Sequence, residues 1–376
     1  MSSPTVLGRP SRHPNSKEVP GRGHGACPEA RWEPWSRWLA NDHDGGRALE
    51  FRVDRQLAFL AVVNVAVMVA GGVLVGASFL DIYNLQSMAG QVPELGLLAL
   101  GVMLAMISGN GGIDLSGIAL ANLSGVVAYL VLRDTVSPDD APLLFSWSFA
   151  GIALLVGLAG GMLNGFLISS AGLTPIIATL GTQLFFTGLA IAFTNGSALG
   201  LGYIEPLDAF GNTPVLGVPL CFALFLLIAL ILGGVLRYSP FGLRLLLLGN
   251  NAKAARYAGI AEKRILFLTY TACGVLASVA GIVIAARTSS VKWDYGNSYV
   301  LIAILIAVMA GVRPEGGYGR VICVVLSATS LQILSSLFNF MDISNFFRDL
   351  AWGVLLLVFL AASGFDAKAW IRALRG

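Results

Sequence analysis

Polar side chains standing inside apolar stretches are where this chain could do chemistry. Asp114, in GNGGIDLSG, has 19 charge-free residues before it and 18 after it. An acid so placed has two readings. It caps the helix that follows, its carboxylate accepting from exposed backbone N–H groups. Alternatively, it marks a discontinuous helix whose start faces a path for solute. Gly109, Gly111 and Gly112 break the helix just ahead of it, and Ser116 and Asn122 continue from it. Asn164, Thr179, Thr182, Gln183 and Gln332 are uncharged hydrogen-bonding groups in other apolar runs. They suit a path for a hydroxylated solute. Equally they suit hydrogen bonds between helices, and Thr179 and Thr182 can bond back onto their own helix.

Other chemistries find no residues. None of the lysines follows a Gly, so the P-loop pattern is absent and ATP hydrolysis by that route is excluded. No relay of buried Asp, Glu and His, and no paired charges, are expected in the apolar runs, which weakens ion-coupled transport. No catalytic group and no metal site are expected. His13, His24 and His43 lie in the polar N-terminal stretch, and Cys27, Cys221, Cys273 and Cys323 are scattered without ligand spacing.

The elements that position these groups follow from composition. The chain is 56% hydrophobic and 12% charged, where a soluble domain carries about a quarter charged residues. Residues 141–204 contain no Asp, Glu, Lys or Arg. About 20 apolar residues span a bilayer as helix. The fold class is therefore all-α polytopic membrane protein, with about ten transmembrane helices and both termini cytoplasmic. The spans are expected near 57–79, 92–108, 115–132, 146–170, 176–194, 215–236, 265–286, 298–312, 321–340 and 347–363. With the N-terminal tail set aside, Lys and Arg on the inside segments outnumber those of the outside loops eleven to four, in line with the positive-inside rule. Residues 1–55 read as a polar, disordered cytoplasmic tail, 56–365 as the membrane domain and 366–376 as a cytoplasmic C-terminal tail. Nothing in the modest positive charge points to nucleic acid. Gly157, Gly161 and Gly165 recur four apart, as do Gly274 and Ser278, and Ala277 and Gly281. Such stripes let helices approach closely, inside one bundle or across a dimer seam.

Between two apolar runs lies a basic, helix-forming loop, residues 238–263. Asn250 or Asn251 is placed to N-cap the stretch KAARYA, and Gly259 fits the position just past its end. Lys253, Ala254, Ala255, Arg256, Tyr257 and Ala258 are expected on the surface of this short helix, Ala254 and Ala255 leaving a notch for a partner helix. The alternative is a loop that is basic only to set topology. A second turn, VMAGVRPEGGYGRV (308–321), is rich in Gly, which implies close approach of backbones.

Five segments in order resemble the sugar-type permeases of bacterial ABC importers, such as the ribose, xylose and arabinose systems. GGIDLSG (111–117), TPIIATLGT (174–182), FGLRLLLLGNNAKAARYAGI (241–260), LASVAGIVIAAR (276–287) and AGVRPEGGYGRV (310–321) carry the likeness, which covers about residues 57–363. The segment YVLIAIL (299–305) has Val300 and Ile302 where the family often has acidic residues. The resemblance implies a permease subunit in the bacterial cytoplasmic (inner) membrane, importing a monosaccharide or related polyol. It implies a cytoplasmic ABC ATPase, which uses ATP and Mg²⁺, docking on the loop through Asn251, Lys253, Ala254, Ala255, Arg256 and Gly259. It also implies a periplasmic or surface solute-binding protein, and a second permease copy or a paralogue. The competing expectations are a branched-chain amino acid permease of the same general kind and an ion-coupled secondary transporter.

Overall fold

The computed structural model describes residues 55–215 and 217–364. The N-terminal tail up to residue 54, with its histidines and Cys27, lies outside the described residues, as does the C-terminal tail. So do the locations of the two termini.

Within the described residues the chain is mostly helical. Its helices are α1 (Arg55–Val75), α2 (Ile82–Ile107), α3 (Gly117–Leu132), α4 (Pro142–Ser169), α5 (Pro175–Thr194), α6 (Glu205–Asn212), α7 (Leu220–Tyr238), α8 (Pro240–Asn250), α9 (Ala252–Tyr257), α10 (Glu262–Thr288), α11 (Tyr299–Met309), α12 (Val321–Phe340) and α13 (Asn345–Gly364). Each expected apolar run falls on one of them. Seven of the described helices are long and apolar enough to cross a membrane by length and composition. The protein is an all-α polytopic membrane protein.

Two differences from expectation have clear causes. Helix α2 begins at Ile82, well before residue 92, because Asn84, Gln86, Gln91 and Glu94 dilute the hydropathy of its first half. The stretch before α7 forms a two-residue hairpin, β2 (Pro214–Val215) with β3 (Val218–Pro219). A second antiparallel pair joins β1 (Leu199–Gly200) to β4 (Ser290–Val291), tying the loop after α5 to the end of α10.

Helices α2 and α10 form the centre. From Val92 to Ile107 every residue of α2 except Leu95 is buried. The glycine stripe of α4 lies against α10. A Cβ at Gly161 would sit 2.8 Å from the carbonyl oxygen of Thr271, and one at Gly165 would sit 2.8 Å from that of Phe267. A Cβ at Gly157 would overlap the Ser278 side chain, and one at Gly274 would overlap the backbone of Gly157. The stripe is thus filled from within the chain, and the dimer-seam reading of Gly157, Gly161 and Gly165 gives way to internal packing. Gly281 closes on Ala121 and Ser124 of α3 in the same way.

Candidate functional site

Three places hold the polar groups. The first is the break between α2 and α3. Gly109, Asn110 and Gly111 all have φ between 56° and 78°, so the helix cannot continue and residues 112–116 run without helix. This leaves α3 a helix of 16 residues. Asp114 is buried and does not cap α3; Ser116 holds the N-cap position. The Asp114 carboxylate instead accepts from the Ser116 backbone N–H at 2.9 Å and from the Ser116 hydroxyl at 2.7 Å. Ser116 Oγ in turn accepts from Asn164 Nδ2 at 2.8 Å, and Asn164 Oδ1 accepts from Thr182 Oγ1 at 2.6 Å. A buried chain Thr182–Asn164–Ser116–Asp114 therefore links α5, α4 and the break. Every link satisfies a group that would otherwise be buried unpaired.

Thr179 joins the same region by donating to the carbonyl of Ile113 at 3.0 Å and to that of Pro175 at 2.8 Å. Asn122 stands apart. Its amide reaches the carbonyls of Trp293 and Tyr295 at 3.1 and 2.9 Å, clasping the loop after α10 to α3. Gln183 is half-buried and outside the chain. The space beside Asp114 is only about 10 Å³, walled by Leu98, Val102 and Cys273 among others. That is about the room of one water, so this region is closed to a larger solute in this conformation.

The second place is one the sequence reading missed. Glu94 is buried in α2 and carries an ion pair from Arg287 in the last turn of α10. Tyr295 and Tyr299 donate their hydroxyls to its other oxygen at 3.2 and 3.3 Å. An acid inside a span is costly unless it is paired, and Arg287 and the two tyrosines supply the partners. The expectation of no paired charges within the spans is therefore corrected, and Arg287 belongs to a helix rather than an outside loop. A cavity of about 500 Å³ lies over this pair, lined also by Gln91, Ile302, Gln332, Asn339 and Trp352. Gln332 was singled out from the sequence; it donates to Gln91 at 3.0 Å. The missed signal was a Glu inside an apolar run, with Arg and two Tyr at the edges of two others.

The third place is the loop. Asn251 caps α9, its side chain accepting from the Ala254 N–H at 3.0 Å. Gly259, with φ of +78°, follows the helix end, and the Gly259 and Ile260 N–H groups close back on Arg256 and Ala255. Lys253, Ala254, Arg256 and Tyr257 are exposed, but Ala255 is 4% exposed and faces the bundle. The expected notch of two alanines is corrected: a six-residue helix turns one face inward, and Ala255 lies on it. Arg256 pairs with Glu262 at 2.7 Å. A hollow of about 370 Å³ opens here, with Asn110, Arg256 and Lys263 on its edge.

Loop and break are in direct contact. A Cβ at Gly109 would lie 2.9 Å from the Gly249 backbone, and one at Gly317 would lie 2.8 Å from that of Asn250. A Cβ at Gly249 would overlap the Ile107 carbonyl, and one at Gly316 the Gly109 backbone. The Gly317 N–H donates to Ile107 O at 3.0 Å. Three segments thus meet backbone to backbone: the end of α2, the end of α8 and the Gly-rich turn. Among the described residues no group of His, Cys, Asp and Glu is arranged to hold a metal ion.

The family described as branched-chain amino acid transport system / permease component matches residues 84–362. The ribose import permease protein of Bacillus subtilis is 32% identical over 302 residues, covering 80% of this chain and 89% of the relative. The ribose import permease protein of Escherichia coli K12 is 30% identical over 301 residues, 79% of this chain and 91% of the relative. The autoinducer 2 import system permease protein of Klebsiella pneumoniae is 28% identical over 331 residues, 86% of this chain and 96% of the relative. No solved structure gives a significant match.

Proposed function

The chain belongs to the branched-chain amino acid transport system / permease component family, and on that premise we propose that it is the permease subunit of a binding-protein-dependent ABC importer for a monosaccharide or related polyol. Relatives named for ribose and autoinducer 2 favour a polyol over a branched-chain amino acid. The chain crosses the bacterial cytoplasmic membrane about ten times, with both termini inside. It works with a cytoplasmic ATPase, which binds ATP and Mg²⁺, a solute-binding protein, and a second permease copy or a paralogue.

The observation that carries the reading is the glycine junction between loop and break. In this proposal the ATPase grips the exposed face of α9 through Lys253, Ala254 and Arg256. Movement of α8 and α9 passes through Gly249 to Gly109 with no side chain to absorb it. It then reaches residues 112–116 and the Asp114–Ser116–Asn164–Thr182 chain. A packed junction of this kind shifts between discrete arrangements rather than deforming smoothly. The permease then alternates between two states that contact the solute differently.

The test is a cross-link at Ala254→Cys in native membranes, with the attached protein identified by mass spectrometry. A soluble ATPase bearing a P-loop is expected. Its absence from membranes active in solute uptake would overturn the docking assignment.

A further inference from the structure

Resting on the importer reading above, we propose that the cavity over the Glu94–Arg287 pair is a solute chamber for an uncharged polyhydroxylated molecule. Its volume, about 500 Å³, falls in the range of roughly 300–1,000 Å³ typical of small-molecule sites. Its wall combines the features that recognise hydroxyls. Arg287 offers donors and Gln91 and Gln332 offer both donors and acceptors, while the buried Glu94, already accepting from Arg287, Tyr295 and Tyr299, holds that wall in place. Trp352, buried to 9% exposure, supplies an apolar face for the carbon skeleton.

The charges select the ligand class. Two acids, Glu94 and Asp349, and two bases, Arg287 and Arg348, line the cavity, so its formal charge is zero. Arg287 is held by Glu94, and Arg348 donates to Asn339. At the Glu94–Arg287 pair, a zwitterionic amino acid would need to break the ion pair to place its own carboxylate and ammonium. A neutral polyol leaves the pairing intact and adds hydrogen bonds at its edges. Packing alone does not explain the arrangement, since apolar residues of similar volume would fill the space at lower cost.

The place also fits a chamber. Glu94 lies 13 residues before Ile107, the contact point of the loop junction. At 1.5 Å per residue that is about 20 Å along α2. The cavity therefore belongs to the half of the bundle away from the loop helices.

Ser335 lines the cavity and is half-buried, so Ser335→Cys is a mild probe. The background carries Cys27→Ser; Cys221, Cys273 and Cys323 are buried. The full chain in membranes is labelled with an impermeant methanethiosulfonate, with and without ribose, xylose, glucose or xylitol, and with leucine as the zwitterionic control. At least one polyol is expected to slow labelling threefold or more, and leucine to leave it unchanged. Adding Gln332→Leu should remove protection while the unprotected rate of the folded protein stays the same. The chamber is overturned if no polyol changes the rate, if the Ser335→Cys thiol never labels, or if leucine protects as well as the polyols. Protection without ATP-driven uptake would keep the chamber and sink the importer reading. Uptake of a polyol without protection would do the reverse.

Discussion

The Asp114 chain and the Glu94 cavity are two polar regions in one apolar bundle, and they are built on opposite plans. The first is closed. Its four side chains spend their hydrogen bonds on one another, and about 10 Å³ of space remains beside them. The second is open. Its charges are paired, yet about 500 Å³ lies over them with donors and acceptors on the wall. The closed region touches the loop junction and the open one lies toward the other end. In the roles proposed above, the closed region would transmit a movement and the open one would hold a solute.

The largest effect should come from breaking the pair that keeps the open region neutral. Glu94→Ala leaves the Arg287 guanidinium partly buried without its counter-charge. Stranding one member of a buried pair costs about 3–5 kcal/mol. The expected outcome is a marked fall in Tm and in folded yield, measured by thermal unfolding in detergent. The double variant Glu94→Gln/Arg287→Met removes both charges together and should recover most of that loss. If the single variant unfolds no more readily than the parent, Arg287 does not depend on Glu94 for its counter-charge in the folded state.

A smaller effect should come from cutting the closed region. Ser116 both donates to Asp114 and accepts from Asn164, so Ser116→Ala strips two side-chain hydrogen bonds in one step. An unsatisfied buried donor costs about 1–3 kcal/mol. Because the two regions share no hydrogen-bond partner, Ser116→Ala and Gln332→Leu should add to within about 0.5 kcal/mol. A coupling well beyond that would merge the two regions into one network and dissolve the comparison.

The closed region was legible in the sequence and the open one was not, for a physical reason. Asp114 declares itself by isolation, since a lone charge flanked by apolar residues is a local pattern. Glu94 also stands isolated in its run, but its partner Arg287 lies 193 residues away, and no local pattern announces the pairing or the cavity over it. The same distinction runs through the fold. The apolar runs marked the helices because hydropathy is summed over one segment, and Asn251 and Gly259 marked α9 because caps are local. The start of α2 was misplaced because its polar face, which includes Glu94 and Gln91, looks loop-like until the other helices cover it. Ala255 was misassigned because only packing decides which face of a six-residue helix turns inward.

The smallest effect on stability should fall on the loop, and it sharpens the comparison most. Arg256 is exposed, and its pair with Glu262 is open to solvent. Such pairs contribute about 0–1 kcal/mol, so Arg256→Glu should leave Tm nearly unchanged. Asn251→Ala removes the cap of α9 and should cost about 1 kcal/mol, confined to the loop. Neither change touches the cavity, so polyol protection of the Ser335→Cys thiol should survive both. Uptake should not: reversing the charge at 256 repels the surface that would grip α9, and a frayed α9 passes less movement through Gly249 to Gly109. The decisive pattern is protection kept and uptake lost, read in the same membranes. Uptake at the parental rate with both substitutions in place would detach the loop from transport, and the closed region would be a structural brace with no movement to transmit.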